Sequence, residues 1–284
     1  FFLRGGFLDG FYGMVICGIS SYETFLKYVK LRQLYREHRK RRETICFFNS
    51  SVTWGGGEKW HFDIATRLQK KGHRIVVITN RKSALYERLR GTTVPVVRLR
   101  VHNLDFLNPL KVLKVMQIYR RLGVRVVISN LSADIKLGGV AARLVGVERV
   151  IYRRGLAVPI RNSFINRFIF RKVVTDIMAN SEETKNTILA NHPKLFEPSK
   201  IRIIYNGLDL NAYDNENYEP VFTRSREEFI IGNAGRLVYQ KGQKMLIDLA
   251  VILSRKGYRF RVVIAGEGKM YQELGEYARK NGVE

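Results

Sequence analysis

A chain of 284 residues, 45% hydrophobic and 11% aromatic, can bury a sizeable core and form more than one domain, which excludes a disordered protein. Its 50 Lys and Arg against 25 Asp and Glu leave a formal charge of +25, so the expected partner is anionic: nucleic acid, an acidic membrane surface or a phosphorylated ligand. The two cysteines, Cys17 and Cys46, lie in or beside apolar runs; they offer no zinc or disulfide framework and suit buried thiols in a reducing, cytoplasmic setting.

Residues 1–42 read as a module apart. The opening FFLRGG has neither an initiator Met nor a cleavable signal and reads as the interior of a longer frame. The apolar run from Phe7 to Ile19 is broken by Asp9 and falls short of the roughly 18 to 20 residues that a spanning helix needs, so it is not read as transmembrane. From Tyr22 onward, Phe25, Tyr28, Leu31 and Leu34 or Tyr35 recur at helical spacing. Lys27, Lys30, Arg32, Arg36 and the basic run from Arg39 to Arg42 lie among and after them. The pattern predicts an amphipathic basic helix suited to an anionic membrane surface, with a solvated charged helix or a nucleic-acid patch as the other readings.

From Glu43 the rhythm changes. Over 43–205, the β-prone runs TICFFNS, HRIVVIT, VPVVRLR, VRVVISN, ERVIYRR, DIMANS and IRIIYNG (the last ending at Gly207) alternate with helical stretches, which predicts a doubly wound α/β sheet of parallel strands. Residues 206–228 are polar and turn-rich and read as a linker. A second βα series fills 229–284, with FIIGNAG and RFRVVIAG as strands. Two βα units are too few to close an independent α/β domain, so this domain reads as incomplete.

Ligands of open α/β sheets bind at the carboxyl ends of strands, and unusual residues gather there. Gly55, Gly56 and Gly57 follow the first strand and precede a helix, where backbone N–H groups can approach a phosphate or a sugar; a ligand-free tight turn is the other reading. In GNAGRLVYQKGQ, Gly235 and Arg236 follow a strand while Lys241 and Gly242 open the next helix. A bidentate guanidinium, an ammonium and a helix end then suit a diphosphate. Gly266 and Gly268 repeat a strand-to-helix glycine turn. Asn180, Ser181 and Glu182 stand at another such junction, with Ser181 a plausible N-cap.

These motifs, WGGGEKWHFDIATRLQKKGHRIVVIT, IMANSEETKNTI, IRIIYNGLD, GNAGRLVYQKGQKMLIDLA and VVIAGEG, stand in the order seen in family 4 glycosyltransferases, and the chain from about Glu43 to its end resembles that family. The resemblance implies a GT-B fold of two Rossmann-like domains, a nucleotide-sugar donor, expected to be UDP-linked, in the interdomain cleft, and retaining transfer with no cofactor and no essential metal. It implies Arg236 and Lys241 as the catalytic cations holding the donor diphosphate. It further implies Gly55, Gly56, Gly57, Asn180, Gly235, Gly266 and Gly268 on the donor side, and Trp54, Glu58 and Asn130 as acceptor-side candidates.

Two departures bear on activity. Where the family often carries a cleft histidine, Asn130, Leu131 and Ser132 stand; Asn130 can hydrogen-bond a sugar but cannot act as a base. The family's Glu-x7-Glu pair falls beyond Glu284, so weak or absent transfer is expected of the chain as given. His61, His73, His102 and His192 read as structural, since none belongs to a metal-ligand pattern. Residues 1–42 resemble the tail of a family 2 glycosyltransferase of the lipopolysaccharide-core type. Together the two resemblances imply a transferase on the inner face of the cytoplasmic membrane, acting on a lipopolysaccharide-core or lipid-linked glycan. The alternative is a non-catalytic nucleotide-sugar or polyanion-binding fragment, and nucleic acid is not an expected partner.

Overall fold

A computed structural model describes residues 10–41, 43–208, 210 and 228–284. The side chains of Cys17 and of 33–42, with the steepest basic run, lie outside the described residues, as does most of the expected linker. The chain divides into two compact units, one ending at Gly207 and the other running from Leu208 to Glu284.

The first helix, α1 (Gly10–Arg41), is continuous over 32 residues and starts well before Tyr22, where the periodicity begins. The expected amphipathic character is corrected by its geometry. At 3.6 residues per turn, the exposed Phe25, Leu26, Tyr28, Val29 and Leu31 fan around the axis instead of sharing one stripe, as do Phe11, Tyr12, Met14, Ile16 and Ile19 before them. Charge enters only from Glu23 onward, so polarity is sorted along the helix and not across it. No described helix is long and apolar enough to cross a membrane.

The first unit is built on a parallel sheet of seven strands: β1 (Thr44–Asn49), β2 (Arg74–Thr79), β3 (Val96–Arg98), β4 (Val124–Ser129), β5 (Arg149–Arg154), β6 (Asp176–Ala179) and β7 (Ile201–Ile203). Every strand read from the sequence is present, with β3 and β7 shortened. The order is β3-β2-β1-β4-β5-β6-β7. The chain therefore winds outward from β1 to β3, then returns to lay β4 along the other side of β1, pairing Phe47 with both Val77 and Ile128.

Strand alternation assigns the two faces of this sheet. Cys46 and Phe48 join a core with Val115 and Tyr119 of α4 (Pro109–Leu122) and with Leu137 and Ala141 of α5 (Ser132–Leu144). Phe47 turns the other way, to Ala65 and Trp60 of α2 (Gly56–Lys70) and Leu85 of α3 (Ala84–Leu89). The Cys46 thiol is buried, as expected, and burial pushes its pKa up. Local chemistry delimits α4: Asn108 accepts from the backbone N–H groups of Leu110 and Lys111, Pro109 occupies the first turn, and Gly123 ends the helix in the left-handed conformation at φ 63°. After β5 come α6 (Phe164–Phe168), a π-helical turn over Ile169–Val173, and α7 (Glu182–Ile188).

The second unit pairs β8 (Phe229–Ala234) in parallel with β9 (Phe260–Ala265) and packs α8 (Gln243–Arg255) and α9 (Tyr271–Lys280) around Leu237, Ile247 and Leu274. None of the residues of β8 or β9 is fully buried.

The contact between α5 and the sheet leaves no room at Gly138, where a Cβ would lie 2.3 Å from Phe48 Cδ1 and 3.0 Å from the Tyr119 hydroxyl. Gly138→Ala should overpack this core and destabilise the first unit by about 1–3 kcal/mol. Urea denaturation monitored by circular dichroism measures it, and an unchanged midpoint would contradict the packing.

Candidate functional site

The winding reverses between β1 and β4, and their carboxyl ends open the crevice where such sheets take ligands. Asn49 and Ser50 leave β1 there, and Asn130 leaves β4. A Cβ on Gly57 would lie 2.4 Å from Asn130 Nδ2, so a glycine is what lets the first turn of α2 close onto the end of β4. Gly55 has an extended backbone (φ −165°), and a Cβ on Gly56 would meet nothing within 4 Å, so the three glycines are not equivalent.

Beneath the crevice lies a buried polar layer. Asn49 Nδ2 donates to Glu58 Oε1 at 3.2 Å, and Ser50 N donates to Asp134 Oδ2 at 3.1 Å. Asp134 is fully buried and its Oδ1 has no partner among the described residues. Burial, aided by the charge of Glu58 and opposed by hydrogen bonds from Ser50, pushes its pKa up to about 7. His61 is fully buried between the rings of Phe47 and Trp60, with neither ring nitrogen hydrogen-bonded among the described residues. Burial first, and then the charge of Arg153, lower its pKa to about 3, so it is neutral and structural, as the sequence indicates.

Arg153, from the end of β5, is the main cation of this crevice. Its Nη1 donates to Asn130 Oδ1 at 3.0 Å and its Nη2 to Asn206 Oδ1 at 3.2 Å, while the guanidinium stands 4.7 Å from the centroid of the Trp60 ring. It is 4% exposed and has no carboxylate hydrogen-bonded to it among the described residues. Burial lowers its pKa, and Glu58 works in the opposite direction.

In the second unit, Arg236 and Lys241 are both exposed and neither has an ionic partner among the described residues. Gln243 is buried and its Nε2 donates to Arg236 O at 3.0 Å, which ties the loop to the start of α8. Lys241 folds back over the end of β8: its Cε would lie 4.0 Å from a Cβ on Gly235. Gly266 has φ +155°, and a Cβ there would stand 1.9 Å from Gly235 O; one on Gly268 would stand 2.2 Å from Leu237 O. Close backbone approach, not only turn formation, requires both glycines. Gly235, Arg236, Lys241, Gly266 and Gly268 are thereby gathered at the carboxyl ends of β8 and β9.

Other expected site residues have local duties. Trp54 packs edge-on to Phe62 and lies 4.1 Å under the Arg88 guanidinium. Glu58 is buried against Asn49 and does not present its carboxylate to solvent. Asn180 donates to Gly155 O at 3.4 Å and accepts from Thr184 Oγ1 at 2.8 Å, and Ser181 caps α7 by accepting from Thr184 N. Sequence reasoning missed Arg153, Asp134, Asn206 and Gln243. Arg153 was findable, because it stands at a strand's carboxyl end two residues before a glycine, as Arg236 stands after one; the others carry no local signal. No group of three or more His, Cys, Asp or Glu among the described residues is placed to hold a metal ion.

Comparison with known proteins adds to this geometry. Residues 54–212 match the model of Glycosyltransferase Family 4, and residues 214–284 that of Glycosyl transferases group 1. EpsF of Bacillus subtilis, named as a glycosyltransferase, is 26% identical over 156 residues, covering 50% of this chain and 40% of its own. CapM of Staphylococcus aureus, named as a capsular polysaccharide biosynthesis glycosyltransferase, is 29% identical over 109 residues, 36% of this chain and 28% of its own. The chain thus spans less than half the length of these curated relatives. Among solved structures, Anabaena Alr3699/HepE in complex with UDP and glucose is similar with a TM-score of 0.66 at 21% identity, over 85% of this chain and 67% of that one. The likeness extends the parallel α/β architecture to the GT-B fold.

Asp134 and His61 make stability pH-dependent in opposite senses. Asp134 has a folded pKa above its unfolded value, so its contribution is complete below about pH 4 and is lost as pH rises through 7. His61 has a depressed folded pKa, so its contribution is present above 6.5 and is lost as pH falls toward 3. Asp134→Asn should remove the first loss, and its stability relative to the parent should rise steadily from pH 4 to 7.5 in urea denaturation. Parallel profiles would contradict the burial of an ionisable group there.

Proposed function

The chain belongs to glycosyltransferase family 4, and from that premise we propose that it transfers a sugar from a UDP-linked donor to a lipopolysaccharide-core or lipid-linked glycan acceptor. In this reading the transfer retains anomeric configuration and needs no essential metal. The observation that carries the proposal is the pair of cations, Arg236 and Lys241, without an ionic partner among the described residues and gathered with the tightly packed glycines Gly235, Gly266 and Gly268. Cations with free donors at a strand-to-helix junction suit a diphosphate, and glycines with no Cβ let backbone come close to a nucleotide. The UDP and glucose in the HepE complex support a donor of that class.

The chemistry assigned to these residues is electrostatic. The bond between the sugar C1 and the β-phosphate oxygen breaks, with its electron pair going to that oxygen. The acceptor hydroxyl oxygen bonds to C1 from the same face and its proton passes to the departing diphosphate, since Asn130 is no base. Arg236 and Lys241 stabilise the charge that develops on the leaving group. On the first unit, Asn130, oriented by Arg153, is assigned to the acceptor.

The proposal extends to location. The exposed apolar start of α1 and its later cations suit peripheral attachment to an anionic membrane, at the inner face of the cytoplasmic membrane where glycolipid acceptors are offered. Residues 1–42 are assigned, on their resemblance, to a family 2 transferase tail.

Arg236→Ala should weaken UDP binding about 10- to 100-fold, the loss expected for charge-assisted hydrogen bonds, in calorimetry with EDTA present and with an unchanged circular dichroism spectrum. Unchanged affinity would overturn the donor site, and UDP binding without sugar transfer in a longer chain that carries the Glu-x7-Glu pair would favour a binding-only role. Separately, the chain should sediment with vesicles rich in phosphatidylglycerol and be released by salt; equal sedimentation with phosphatidylcholine vesicles would contradict an electrostatic contribution.

A further inference from the structure

At the end of β5, Arg153 and Arg154 are neighbours in an extended strand and so leave the sheet on opposite faces. Arg153 serves the crevice beside Asn130; Arg154 lines a separate cavity of about 180 Å³ on the α5 side of the first unit. Its lining includes buried apolar groups, Ile135, Ile169 and Phe170, together with three cations, Lys136, Arg154 and Arg161. Not one Asp or Glu lines it, and none of the three cations has an ionic partner among the described residues.

The Arg154 guanidinium is held in place by the protein itself. Its Nη1 donates to the Tyr152 hydroxyl at 3.4 Å and its Nη2 to Val158 O, while its Nε–H is buried with no partner among the described residues. Ser132, the first residue of α5, and Asn166 add polar groups to the lining. A fixed guanidinium, two further cations and no acid make a site for a dianion, and the buried unpaired donor is the kind of group that a ligand oxygen would satisfy. The volume is below the roughly 300 Å³ at which sites for whole drug-sized ligands begin, so one charged group of a larger molecule fits.

We propose that this cavity binds a phosphomonoester carried on a sugar of the acceptor glycan, and that it selects phosphorylated acceptors. The proposal rests on the transferase reading of the first unit, in which Asn130 is assigned to the acceptor; Ser132 of the cavity lies two residues beyond it in the chain. The apolar lining suits the carbon face of a sugar better than a hydrated free phosphate.

The test uses glucose 6-phosphate, glucose and inorganic phosphate as probes, with affinities measured by calorimetry on the whole chain and on the Lys136→Gln/Arg161→Ala variant. Neither substituted side chain is a hydrogen-bond partner of Arg154. Glucose 6-phosphate should bind at least tenfold more tightly than glucose or phosphate, and the variant should lose at least tenfold for it while keeping its UDP affinity. Equal binding of glucose, equal binding of inorganic phosphate, or undiminished binding by the variant would each overturn the proposal. UDP affinity is read in the same experiment, so failure of the donor reading is seen independently of failure here.

Discussion

The pairing of β1 with β4 is the constraint on which the first unit depends. Placing these strands side by side, after β2 and β3 have been laid down on the other edge of β1, reverses the winding and brings two strand ends together. Everything chemically unusual in the unit follows from that adjacency. The first turn of α2 touches Asn130 because Gly57 has no side chain, Asn130 receives Arg153 from the next strand, and Asp134 and Glu58 are drawn below them into a layer sealed from solvent.

Charge is handled differently in the two units. In the first, burial governs: Asp134 is driven toward its neutral form, His61 is kept neutral, and Arg153 is held by two amide oxygens and an aromatic ring in place of a carboxylate. A buried cation solvated by neutral dipoles keeps its field available to a ligand, whereas an ion pair would spend it internally. In the second unit the cations stay in water, and order comes from the backbone: Gly266 and Gly268 pack against the carbonyl oxygens of Gly235 and Leu237, and Gln243 ties the Arg236 carbonyl to α8. That order fixes the loop and leaves the two cationic side chains exposed.

Much of this was legible in the sequence. Strands buried on both faces read as continuous apolar runs, so β1, β2, β4 and β5 were visible without their partners. Arg236 and Lys241 were legible because one strand-to-helix junction carries both. The helix α1 was read only in its later part, because the run from Gly10 to Tyr22 has apolar residues on every side and so no period to detect. The burial of Glu58 was not legible for a related reason: an acid in the first turn of a helix ordinarily faces solvent, and only the position of Asn49 across the turn shows that this one faces inward.

The sequence by itself determined the elements, the parallel α/β class, and the grouping of Arg236 with Lys241 at one strand-to-helix junction, because each depends on residues near one another in the chain. Only the tertiary structure decided that Asn130, Arg153 and Asn206 form one hydrogen-bonded set, that Asp134 lies deep enough to hold a proton near neutrality, and that Arg153 and Arg154 serve opposite faces of a sheet. The reason is distance along the chain. These residues come from different strands, and burial, pKa and hydrogen-bond partnership are properties of the packed neighbourhood, which strand order creates and no local pattern encodes.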